Sequence, residues 1–124
     1  LVEDHPVNRK VITKMLNSIG FKSVVPAEDG QEALEILDRS ESPFDLIIMD
    51  LQMPRMDGLT CTRVIKTRND IHTKTPIVAL TANAWSNSVA KCKGCGMQEV
   101  ITKPTSTETL SQVLYKILSE KRGS

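Results

Sequence analysis

Five side chains in this 124-residue sequence are of the types that handle phosphate together with a hard cation: Glu3, Asp4, Asp50, Thr81 and Lys103. Each stands at the end of an apolar run. Glu3 and Asp4 follow Leu1-Val2, Asp50 follows FDLIIM at 44–49, Thr81 follows PIVAL at 76–80, and Lys103 follows EVIT at 99–102. Three carboxylates brought to one place repel one another unless a cation sits among them. Mg2+ is hard, octahedral and oxygen-seeking, keeps several waters, and is commonly shared with a phosphate. A phosphoryl group adds negative charge that calls for both a metal and an ammonium, and Lys103 supplies the ammonium. Thr81 supplies a hydroxyl donor. Asp50, on a rigid strand end, is suited to act as a carboxylate nucleophile, as in enzymes that pass through an aspartyl phosphate.

Such convergence requires a particular scaffold. Strand-like apolar runs alternate along the chain with amphipathic segments, which argues for βαβ units around a parallel sheet. Strands are expected at 1–2, 23–27, 44–49, 76–80 and 99–102. Pro26 suits the second to an edge, where a missing N–H does least harm. The run at 44–49 reads as a central strand covered on both faces. Helices are expected between them. Val7, Val11, Met15, Leu16 and Ile19 recur at helical spacing, with Gly20 as a C-cap. Further helices fall over 31–39, 59–68 and, weakly, 85–95. Leu110, Val113, Leu114, Ile117 and Leu118 make a last amphipathic stripe. Five strands and five helices in strict alternation predict an α/β, flavodoxin-like, doubly wound sheet of order 2-1-3-4-5. In such sheets ligands bind beyond the carboxyl ends of the strands, where all five candidate residues stand.

Bulk properties bound the alternatives. The length is that of one domain. Sixteen basic and fifteen acidic residues give a net charge of +1, which offers no broad lure for nucleic acid or an anionic membrane. No run approaches the length of a membrane span. Three cysteines, an odd number, argue against a secreted disulfide framework and for a reducing, cytoplasmic setting. The short apolar lead before Glu3-Asp4 reads as a first strand truncated at its N-terminus.

At this point the sequence resembles the receiver (response-regulator) family of two-component signalling over essentially its whole length. The matching pieces are LVED at 1–4, IIMDLQMPRMDG at 47–58, VALTA at 78–82 and TKP at 102–104. The extended stretch around Asp50, with His5-Pro6-Val7-Asn8, looks most like receivers of hybrid sensor histidine kinases. The resemblance implies one receiver domain over 1–124. Asp50 would accept a phosphoryl group from a phosphohistidine, and the domain itself would catalyse that step without being a free-standing enzyme. Asp4 would bind Mg2+ directly (Mn2+ being an acceptable substitute), with Glu3 helping and the backbone carbonyl of Gln52 facing the metal. Lys103 would pair with the phosphoryl oxygens, Thr81 would swing towards them, and Pro104 would fix the following turn. The partner would be a histidine kinase domain or a histidine phosphotransfer protein. The signal would pass on by conformational change or onward transfer, the parent chain being a hybrid sensor kinase. Two departures stand out. Val100 occupies a position that often carries an aromatic residue, and Thr105 one that is often aliphatic. Both bear on output, not on acceptance of phosphate.

Each of these residues also has a plainer use. Asp50 alone would be an ordinary turn residue, and the acidic pair an ordinary helix cap. Only their company makes chemistry the better reading. The Cys92–Cys95 pair lies near a helix C-terminal end rather than the N-terminus that lowers a thiol pKa, and shows no zinc partner spacing. Cys61 reads as helix packing and His5 as a solvent-facing loop residue. Three rivals remain. A receiver fold that signals by docking alone would survive Asp50→Asn. An aspartyl-phosphate phosphatase wants an acid two residues beyond the nucleophile, where Gln52 stands. A flavin carrier wants a phosphate cradle where Glu3-Asp4 stands.

Overall fold

The alternation of side chains along three short strands decides the layers. The structure, a computed structural model, describes residues 1–51, 53, 56–68, 70–82, 92–103 and 105–122. Strands β1 (Ile47–Asp50), β2 (Ile77–Thr81) and β3 (Glu99–Thr102) pair in parallel in the order β1-β2-β3. Successive residues of a strand point to opposite faces. Ile47, Met49, Ile77, Ala79 and Val100 therefore face one apolar cluster, and Ile48, Val78, Leu80 and Ile101 face a second. A sheet with two apolar faces must be covered twice, which is why β1 and β2 are buried at every position.

Helices α2 (Gly30–Arg39) and α3 (Gly58–Thr67) cover the first face through Ala33, Leu37, Cys61 and Ile65. Both begin on a capping aspartate. Asp29 accepts from the Glu32 N–H at 2.9 Å, and Asp57 from the Thr60 N–H at 2.8 Å, satisfying donors that a helix start leaves orphaned. Helices α1 (Pro6–Ile19) and α4 (Thr107–Arg122) cover the second face through Ile12, Leu16, Leu110, Leu114 and Ile117. Gly20 closes α1 at φ 130°, where a side chain would be strained, and its N–H reaches the Leu16 carbonyl.

The helix expected from the spacing of Val7, Val11, Met15, Leu16 and Ile19 forms with Gly20 as its cap, and its buried side is carried by Ile12 and Leu16. Val7 and Val11 are 60% and 45% exposed, and Ile12, outside that set, is buried. Adjacent positions lie about 100° apart around a helix. The 12–16 pair therefore faces the sheet, and Val7 and Val11 lie to one side. The second expected strand is also shorter than 23–27. Only Ala27 makes a bridge, to Val2, and Val2 bridges Met49 on its other side. The Val2 N–H donates to Ile48 O at 2.8 Å, Asp50 N–H to Val2 O at 2.9 Å, and Ala27 N–H to Leu1 O at 2.8 Å. Residue 27 thus flanks residue 2, which flanks β1, reproducing the 2-1-3-4-5 order. A cavity of about 420 Å³ opens below Leu1, lined by Phe21, Val24, Phe44 and Leu46 among others. It lies at the opposite end of the strands from the acids. Of the expected helix at 85–95, residues 92–94 are helical and most of the remainder, with Trp85, lies outside the described residues, as does Pro104. No helix of the described residues is long and apolar enough to cross a membrane.

Candidate functional site

The ladder on either side of β1 delivers the acids to one rim. Because the Asp50 N–H bonds the Val2 carbonyl, Glu3 and Asp4 leave the sheet beside Asp50. One carboxylate oxygen from each of Glu3, Asp4 and Asp50 lies within 4.8 Å of the others. Glu3 and Asp50 are buried, at 0% and 2% exposure, while Asp4 faces solvent. From the other side, β2 and β3 pair Thr81 with Thr102, and the Lys103 N–H donates to Thr81 O at 2.7 Å. That register aims the lysine back across the rim. Its Nζ lies 2.8 Å from Glu3 Oε1 and 3.1 Å from Asp50 Oδ2. Thr81 is buried at the end of β2, one residue beyond the Leu80 that pairs with Asp50.

The close approach of α3 completes the floor. A Cβ on Gly58 would collide with the Asp50 carbonyl oxygen and crowd Leu51 Cα and Met49 Cγ. Only glycine lets the helix start this near the strand end. The aspartate that precedes it, Asp57, is the α3 cap, so the Asp57-Gly58 pair serves the site through the backbone.

Charge at the rim is unbalanced. Among the described residues, three carboxylates face one ammonium there. Burial works to raise the Glu3 carboxyl, yet the hydrogen bond from Lys103 and the lysine's charge outweigh it and hold Glu3 well below the usual carboxylate range. Burial likewise works to lower Lys103, but the Glu3 and Asp50 carboxylates keep it above its ordinary value. Glu3 Oε2 is buried with no hydrogen-bond partner among the described residues. A buried anionic oxygen without a donor costs free energy that a cation would relieve. The donor set is all oxygen, the kind that Mg2+ takes, and the residues present fit that ion.

Thus the structure gathers Glu3, Asp4, Asp50 and Lys103 at one point, with Thr81 on the same rim. The Gln52 carbonyl lies outside the described residues. Val100 packs half-buried against the first apolar cluster, as an aliphatic side chain would. His5 is exposed and caps α1 without a side-chain bond. Cys61 is buried under α3, its thiol pushed up to about 12 by burial. Residues 92–94 are helical and Cys95 follows them, so the cysteine pair sits at a helix C-terminal end as expected. Two contributors escaped the sequence reading. Arg9 donates through Nη1 to the carbonyls of Glu3 and Asp4, at 2.9 and 3.0 Å. Gly58 was legible only as part of a motif, since the clash that requires it is tertiary.

Comparison with known proteins agrees with this geometry. The sequence model of the response regulator receiver domain matches residues 1–115. The osmosensing histidine protein kinase SLN1 of Saccharomyces cerevisiae is 38% identical over 99% of this chain, which spans 10% of that protein. The sensor histidine kinase RcsC of Escherichia coli is 32% identical over 100% of the chain and 12% of its own length. The chain therefore spans about a tenth of these relatives. Among solved structures, the receiver domain of the sensor histidine kinase PA1611 from Pseudomonas aeruginosa superposes with a TM-score of 0.83. It is 36% identical, covers 95% of this chain and 93% of its own, and holds a magnesium ion coordinated in its active site cleft. The chain belongs to the response regulator receiver domain family.

Proposed function

We propose that the domain accepts a phosphoryl group on Asp50 from a phosphohistidine, with Mg2+ held by Glu3, Asp4 and Asp50. The observation that carries this reading is the meeting of those carboxylates with the Lys103 ammonium at one strand-end rim. An Asp50 carboxylate oxygen forms the new bond to phosphorus. The phosphorus–nitrogen bond of the donor breaks, and its electron pair stays on the imidazole. When bound, Mg2+ offsets charge on the carboxylates and on the phosphoryl oxygens. Lys103 Nζ, already 3.1 Å from Asp50, offers N–H donors to those oxygens, and the Thr81 hydroxyl offers another. The backbone carbonyl of Gln52 is the further oxygen we assign to the metal.

The donor we infer is a histidine kinase domain or a histidine phosphotransfer protein, with a hybrid sensor kinase as the parent chain. The kinases among the relatives support that context. Intact mass after incubation with acetyl phosphate and Mg2+ tests the acceptor. One added phosphoryl group is expected on the unmutated chain and none on Asp50→Asn. A single adduct that persists in the variant removes Asp50 from the role. Signalling that survives Asp50→Asn would favour a docking module instead.

A further inference from the structure

Behind the acidic pair lies a guanidinium that the proposed chemistry does not use. Arg9 stands one turn into α1, its side chain 20% exposed. Its Nη1 donates to two consecutive carbonyls, Glu3 O at 2.9 Å and Asp4 O at 3.0 Å. Its Nη2 lies 3.9 Å from Glu28 Oε1, on the turn that leads into α2. The two carbonyls belong to the residues whose carboxylates meet Asp50. A planar fork that grips both fixes the peptide planes on either side of Asp4, and so the directions in which the Glu3 and Asp4 side chains leave the chain.

We propose that Arg9 is a positioning residue of the metal site, acting through the backbone of Glu3 and Asp4 rather than by touching the ion. The inference rests on the reading of Glu3, Asp4 and Asp50 as a Mg2+ site. It has an internal opponent that makes it testable by sign. A guanidinium near a cation site repels the ion, so charge alone predicts that losing Arg9 tightens Mg2+ binding. Positioning predicts the reverse. Removing groups that orient metal ligands generally weakens affinity by 10–100-fold, and a loop anchor that leaves the ligands in place belongs at the low end, about tenfold.

The experiment is calorimetric titration of Mg2+ into the unmutated chain, Arg9→Gln, Arg9→Lys and Glu28→Gln, with far-UV dichroism of each variant before metal is added. Arg9→Gln is expected to raise the Mg2+ dissociation constant about tenfold, and Arg9→Lys to recover part of that loss. Glu28→Gln, which removes only the outer anchor at an exposed residue, is expected to raise it about twofold. That variant keeps the test open if Arg9→Gln fails to fold. Unchanged or tighter binding in the folded Arg9→Gln variant overturns the inference while leaving the metal site intact. With Arg9→Gln unfolded, unchanged binding in Glu28→Gln overturns it. Absence of Mg2+ binding by the unmutated chain overturns the metal reading and this inference with it.

Discussion

Replacing Asp50 by asparagine is expected to stabilise the metal-free protein while abolishing its chemistry. The Lys103 ammonium 3.1 Å away attracts the Asp50 carboxylate by about 5 kcal/mol at an effective dielectric of about 20. Glu3, within 4.8 Å, repels it by about 3.5 kcal/mol on the same basis. Asp4, equally near but exposed, is screened to about half that. Among these three neighbours attraction and repulsion nearly cancel. What survives is the cost of holding a carboxylate at 2% exposure, several kcal/mol per ion, of which a neutral amide retains about 1–3 kcal/mol. Asparagine keeps the shape and one carbonyl acceptor, and Lys103 keeps Glu3 at 2.8 Å. The balance favours Asp50→Asn by about 1–3 kcal/mol without metal, a rise of several degrees in midpoint for a domain of this size. Urea denaturation in EDTA measures it. Mg2+ at ten times its dissociation constant should then stabilise the unmutated chain by about 1.4 kcal/mol and leave the variant unmoved. A variant less stable than the parent in EDTA would refute the reasoning, because it would mean that the lysine pair outweighs crowding and burial together.

Three further outcomes are expected. Gly58→Ala should cost about 1–3 kcal/mol, read from denaturant midpoints, and weaken phosphorylation of Asp50, because the new methyl meets the Asp50 carbonyl and Leu51 backbone rather than a yielding side chain. Below pH 4.5 the metal-free protein should lose stability that Glu3 contributes. Its folded pKa lies below the ordinary 4.5, so the contribution is present above that pH and disappears as the pH falls through the folded value. Glu3→Gln should flatten that limb of a denaturation series. In the native protein a maleimide should label Cys95 alone, since Cys61 and Cys92 are buried and burial raises both thiols, whereas Cys95 is partly exposed. Fast labelling of Cys61 without denaturant would show that α3 opens from the sheet.

Much of this protein follows from patterns that the chain carries locally. Near-continuous apolar runs at 44–49 and 76–80, too short for typical helices, read as strands covered on both faces, and polar residues directly after such runs fall on one rim because parallel strands share a direction. That is why Glu3, Asp4, Asp50, Thr81 and Lys103 could be named from the sequence. The stripe of α4 was equally plain, because Leu110, Leu114 and Ile117 face one way at helical spacing. Other features needed the third dimension. Which side of α1 is buried turns on a rotation of about 100°, too small for a pattern of valines to settle when Val7, Val11 and Ile12 are all apolar. The Lys103 contact with Glu3 spans 100 positions and depends on the order of neighbouring strands. The grip of Arg9 on two carbonyls leaves no trace in residue type, since any exposed helix carries arginines. The need for glycine at 58 exists only because α3 starts against the end of β1. Local periodicity marks the central strands and most helices, whereas distances between segments are set by packing, and it is those distances that turn five polar residues into a site.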